Sequence, residues 1–167
     1  MLKVVSNSSP LIHLAKIGRL ELLEKQFAEI LVPTTVWREA VEEGGALPDA
    51  DILAGSNWIR VLTVADSPLL RNLRTGLHAG EAEAIALALE INADLVLLDE
   101  TEARHYGEVH GLHVTGLMGV LLAAYEQRSI PSLKDCLDLL EETGFYLSED
   151  LRRSVLRFAD ERDERSM

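Results

Sequence analysis

Apolar residues fall along this chain in two rhythms, short unbroken runs and longer stretches with helical spacing. Residues 2–5 (LKVV) are too short for a helix and carry paired valines, so they predict a buried strand. The run stops at Ser6-Asn7-Ser8-Ser9, and residues 10–17 (PLIHLAKI) restart it with helical periodicity. Ser9 is placed to cap that helix and Pro10 to open it, where a missing N–H costs nothing. Gly18 breaks the pattern before a second short helix at 19–26. Residues 29–32 (EILV) predict the second strand, closed by Pro33. Thr34 or Thr35 is placed to cap a helix at 36–43, which Gly44-Gly45 ends. Residues 47–57 contain Pro48 and several small residues and read as a loop with one weak helical turn.

The second half repeats the alternation more clearly. Residues 58–64 (WIRVLTV) alternate apolar and polar, as in a strand nearer a sheet edge. A short helix at 69–77 leads into 80–91 (GEAEAIALALEI), the strongest helix in the chain, rich in Ala, Leu and Glu. Residues 94–98 (DLVLL) are the clearest buried strand and end at Asp99. A helix at 100–110 and a short strand at 111–114 follow, then helices at 117–127, 132–142 and 148–160. The charged stretch 161–167 is expected to fray. Strands alternating with helices imply a parallel sheet covered on both faces. The last two helices have no strand to cover and would clasp the core or build a dimer face.

Composition narrows the class without naming a function. The 167 residues fit a single domain, with a core at about 3–128 and a C-terminal helical extension at about 129–160. One cysteine, Cys136, excludes an internal disulfide and suits a reducing cytoplasm. No apolar run approaches the roughly 20 residues of a bilayer span, and the N-terminus lacks a signal-peptide pattern. A net charge of −12 argues against a broad electrostatic footprint for nucleic acid. It leaves room for a local basic rim or a basic protein partner.

Ligands of open α/β sheets bind beyond the carboxyl ends of the strands, and the polar groups of interest gather there. Asn7 follows the first strand, and Asp99, with Glu100 and Glu102, follows the best one. Glu81 and Glu83 lie at the start of the helix leading into that strand, and Glu39 lies on the helix after the second strand. Carboxylates held together repel unless protons or a cation neutralise them. Oxygen-only ligands select hard ions such as Mg²⁺ or Mn²⁺, whose natural chemistry is in-line displacement at phosphorus. Each residue also has a plainer reading. Asp99-Glu100-Thr101-Glu102 fits a capping box, Glu81 and Glu83 suit a helix N-terminus, and Glu39 alone reads as a surface charge. His105, His110 and His113 lack zinc-site spacing, Ser8 and Ser9 lack a nucleophile elbow, and Cys136 reads as a small core residue.

Taken together, VVSNSSPLIHLAKIGRLELL, ILVPTTVWREAV, GEAEAIALALEINADLVLLDETEAR and GLHVTGLMGVLLAA resemble the PIN domain, within a PIN-like subgroup of prokaryotic proteins. The resemblance covers residues 3–128. It implies a three-layer α/β/α fold with a central parallel sheet of about four to five strands. It also implies a metal-dependent ribonuclease site of three or four acids holding Mg²⁺ or Mn²⁺. Many such proteins are toxins of the VapC type, paired with a small antitoxin and commonly homodimeric. By motif, Asn7 takes the place of the first acid, Glu39 that of the helix acid, Glu81 (with Glu83 as competitor) that of the central helix, and Asp99 that of the following strand. Ser8 and Ser9 would support the site, and Glu102 would be an outer acid. The first acid is usually Asp. Asn7 keeps an oxygen ligand but removes one negative charge. The function this implies is cleavage of RNA phosphodiesters; the alternative is a catalytically weakened binding module acting through a protein partner.

Overall fold

A computed structural model describes residues 1–42 and 48–166. Side-chain alternation along its strands explains how one sheet feeds two cores. In β1 (Val4–Ser6), Val4 joins one apolar cluster and Val5 the other. In β2 (Ile30–Pro33), Ile30 and Val32 face the first cluster and Leu31 the second. In β4 (Leu95–Leu97), Val96 and Leu97 part in the same way. Successive strand side chains point to opposite faces, so a wholly apolar run must be covered twice.

The first core is closed by α1 (Ser8–Lys16), α2 (Glu21–Phe27), α8 (Leu117–Glu126), α9 (Leu133–Glu142) and α10 (Glu149–Ser166). The second is closed by α5 (Pro68–Arg74), α6 (Ala79–Glu90) and α7 (Thr101–Val109). With β3 (Ile59–Leu62) and β5 (Val114–Thr115), the sheet has five parallel strands in the order β3-β2-β1-β4-β5. This is a three-layer α/β/α fold, and β3 is an edge strand. The order reverses between β1 and β4, where Ser6 is in register with Leu97 and the Asn7 N–H donates to the Leu97 carbonyl at 3.1 Å. That switch point is where such sheets form a crevice.

Several boundaries differ from the sequence reading, and the reasons are tertiary. α1 starts at Ser8 with Asn7 as its N-cap, so Pro10 is the third helical residue and Ser9 is not the cap. The hydroxyls of Ser8 and Ser9 are taken by distant carboxylates instead of the helix's own N–H groups. Proline is tolerated there because first-turn N–H groups have no intrahelical acceptor. Residues 34–37 form α3 (Thr34–Trp37), capped by Pro33, while the Thr34 hydroxyl donates to the Leu62 carbonyl at 3.4 Å. The helix then widens into a π-helical turn, Arg38–Glu42. Glu43, the Gly44-Gly45 stop and Leu47 lie outside the described residues, as does Met167.

The stretch read as a loop contains α4 (Pro48–Ala54). Pro48 opens it, Asp49 and Asp51 suit its first turn, and Ala50 and Leu53 are buried. α10 continues to Ser166 instead of fraying at 161. The Tyr125 hydroxyl donates to Asp163 at 2.5 Å, and Arg162 pairs with Glu126 at 2.9 Å. α9 and α10 clasp the first core through Leu137, Leu140, Val155 and Ala159, and Cys136 is buried among them. Among the described residues no helix is long and apolar enough to cross a membrane.

Candidate functional site

The crevice at the carboxyl ends of β1 and β4 is built around three consecutive residues. Asn7 is buried, and its side-chain oxygen has no hydrogen-bond partner among the described residues. The next residue, Ser8, donates its hydroxyl to Glu39 Oε2 at 3.1 Å. Ser9 donates to Asp99 Oδ2 at 3.0 Å. Two carboxylates from segments 31 and 90 residues away are therefore tethered to the two residues that follow Asn7.

Each carboxylate also sits against a glycine. A Cβ on Gly80, in the first turn of α6, would lie 2.9 Å from both oxygens of Glu39. A Cβ on Gly116 would lie 2.8 Å from Asp99 Oδ1. Glycine in a helix costs up to about 1 kcal/mol relative to alanine, so a glycine opening the strongest helix in the chain is a signal in the sequence that reading by periodicity passes over. Glu39 itself projects from the π-helical turn, a feature that recurs at functional sites.

Asp99 does not cap the helix that follows it. Glu100 is the N-cap of α7, and Asp99 Oδ1 instead accepts from the Leu117 N–H at 2.7 Å, the first residue of α8. Burial pushes the Asp99 carboxyl above the usual aspartate range. The Leu117 N–H, the Ser9 hydroxyl, and the nearby His13 and Arg104 pull it back in part. An internal carboxylate with a raised pKa at a strand end is the environment in which a cation is a natural partner.

The central-helix acids part ways. Glu81 Oε1 accepts from the His78 N–H at 3.2 Å, so it caps its own helix. Its carboxyl lines a second cleft of about 300 Å³ together with Arg74, Glu100 and Glu102. Burial raises its pKa, and the charges of Glu100 and Glu102 add to that shift. Glu83 lies one turn beyond Gly80 on the same helix. Glu83 Oε1 is 3.6 Å from Arg74 Nη2, and Glu83 Oε2 is buried without a partner among the described residues. Among the described residues no three His, Cys, Asp or Glu side chains stand together as a metal-holding group. Ser8 and Ser9 hold Glu39 and Asp99 at the start of one helix, while Glu81 and Glu102 line the neighbouring cleft.

A parallel five-stranded sheet between helical layers, with acids at the switch point, defines a three-layer α/β/α protein with a crevice at its strand ends. The family model DUF3368: PIN domain matches residues 3–161, and the chain belongs to that family. The fold is also similar to the solved structure of a PilT N-terminus domain protein from the hyperthermophilic archaeon Sulfolobus solfataricus P2. That similarity has a TM-score of 0.54 at 18% identity and covers 72% of this chain and 92% of the other. Comparison with curated proteins finds no match.

Proposed function

We propose that this chain is a metal-dependent ribonuclease of the PIN type, cleaving RNA phosphodiesters at the β1/β4 crevice. One observation carries the reading. The Asn7 side-chain oxygen is buried and has no partner among the described residues, next to two serines whose hydroxyls hold Glu39 and Asp99. A buried amide oxygen without a partner is costly, and the donor set around it is all oxygen, the chemistry of Mg²⁺ or Mn²⁺.

In this reading Asn7, Glu39 and Asp99 would hold the ion, with Ser8 and Ser9 keeping the two carboxylates in place. A bound divalent ion supplies an acidified water and stabilisation of the leaving oxygen. Glu81 and Glu83 compete for the remaining position, and the buried unpartnered oxygen supports Glu83. The setting we assign is the cytoplasm, as a homodimeric toxin held by a small antitoxin.

The test is cleavage of mixed RNA with Mn²⁺ by wild type and by Asp99→Asn. The expected result is activity in wild type and a loss of about 100-fold or more in the variant. Equal activity in both, or none in either, rejects the reading.

A second reading, a PIN fold acting as a binding module, rests on two observations. Asn7 removes a negative charge, and no acid trio is assembled among the described residues. Calorimetric titration with Mn²⁺ separates the two. The nuclease reading expects binding by wild type, whereas the binding-module reading expects it only after Asn7→Asp.

A further inference from the structure

Beside Asp99 lies a cleft of about 520 Å³. Its floor is Ser9, His13 and Asp99, and its far wall is the segment joining α9 to α10, which includes Phe145 and Tyr146. This wall comes from the C-terminal helices, which pack on the first core.

The wall is pinned to the site. α9 ends at Glu142 with Thr143 as its C-cap, and Gly144 adopts a φ of +90°, a left-handed conformation that favours glycine and turns the chain back. His13 Nδ1 lies 3.2 Å from the Thr143 hydroxyl, and the His13 ring meets Phe145 edge-on at 5.0 Å. Arg152 of α10 bonds both Asp138 and Glu141 of α9, which holds the two helices together. The segment therefore has a defined position relative to Asp99, yet the Tyr146 ring at its tip is 86% exposed. An aromatic ring that exposed gains nothing for the core.

The cleft also holds an unusual cation. Arg104 is half-buried, lines the same cleft as Asp99 and acts on its carboxyl through charge alone, with no hydrogen bond or close ion pair to a described residue. Most arginines of this acidic chain are in ion pairs with carboxylates. A planar fork left open beside a candidate phosphodiester site matches a phosphate oxygen pair. An exposed ring at the cleft's rim matches a nucleobase.

We infer that this cleft is a nucleotide subsite of the chain, in which one base of single-stranded RNA stacks on Tyr146 and its phosphate is held by Arg104. The inference rests on the nuclease reading and names how that site grips its substrate. Stacking tolerates every base, so the subsite orients the strand without reading its sequence. Glu100 also lines the cleft, so a phosphate there depends on Arg104 to offset repulsion.

The experiment is anisotropy of a short fluorescein-labelled oligouridylate with the full chain in Ca²⁺ buffer, for wild type, Tyr146→Ala, Tyr146→Phe and Arg104→Gln. Tyr146→Ala is expected to weaken binding about tenfold, and Tyr146→Phe to keep it, because the ring and not the hydroxyl does the stacking. Arg104→Gln is expected to weaken binding and reduce the salt slope by about one contact. Wild-type affinity in Tyr146→Ala, equal loss in Tyr146→Phe, or no binding by wild type overturns the inference. Mn²⁺-dependent cleavage is measured separately. Tyr146-dependent binding without cleavage would reject the nuclease reading and leave the subsite standing. Cleavage with an indifferent Tyr146 would do the reverse.

Discussion

At the scale of single residues, Asp99 carries an opposition between stability and site chemistry. Burial raises its carboxyl pKa, so over the interval between the unfolded and folded values the native state binds the extra proton. Stability attributable to this group therefore falls as pH rises through that interval, and the full penalty is present above it. Asp99→Asn keeps the shape and removes the charge. It is expected to raise Tm by a few degrees at neutral pH, with the gain shrinking as pH falls toward the ordinary aspartate range near ~4. Thermal melts of both proteins from acid to neutral pH check this. The same substitution is expected to abolish any Mn²⁺-induced rise in Tm, as expected when residues at functional positions are held at some cost to stability.

At the scale of elements, the N-terminus of α6 is shaped around a carboxylate from another helix. Gly80→Ala places a methyl group where the Glu39 oxygens now sit. The atoms met are the carboxylate end of the Glu39 side chain and not backbone, so the carboxylate and not the main chain has to shift, and alanine improves helix propensity by up to about 1 kcal/mol. The expected outcome is a Tm equal to or above wild type with Mn²⁺ affinity reduced about tenfold or more, read by melting and calorimetry. Unchanged affinity would separate Gly80 from the site. The same scale shows where local rules give way. Ser9 looked like a helix cap and Asp99 like the opening of a capping box, yet Ser9 serves Asp99, and Asp99 serves α8. Those caps were legible as polar groups at helix starts. Their partners were not, because a hydroxyl bonds whichever acceptor packing brings near.

At the scale of the whole molecule, α9 and α10 share a core with α1, α2 and α8, and we expect the chain to unfold as one unit. Leu137 is fully buried in α9, and Leu137→Ala should cost about 2–5 kcal/mol. Trp37 and Trp58 pack against the same core from other elements. Urea unfolding followed by their fluorescence and by far-UV dichroism should shift together in a single transition. Two transitions in the variant would make residues 129–160 a separate unit.

The alternation of strands and helices, the apolar runs at β1, β2 and β4, and the polar groups at their ends were all determined by the sequence itself. A strand buried on both faces needs an unbroken apolar run and a helix an apolar period of 3.6, and both patterns are local. Tertiary structure decided which of those polar groups meet. Strand order 3-2-1-4-5 brings Asp99 to Ser9 across 90 residues, while helix geometry turns Glu81 back on its own N-terminus. It also decided that a loop from the C-terminal helices, with no signature beyond Gly144 and two aromatics, would stand beside Asp99. Contacts between distant segments depend on packing directions that no spacing along the chain encodes.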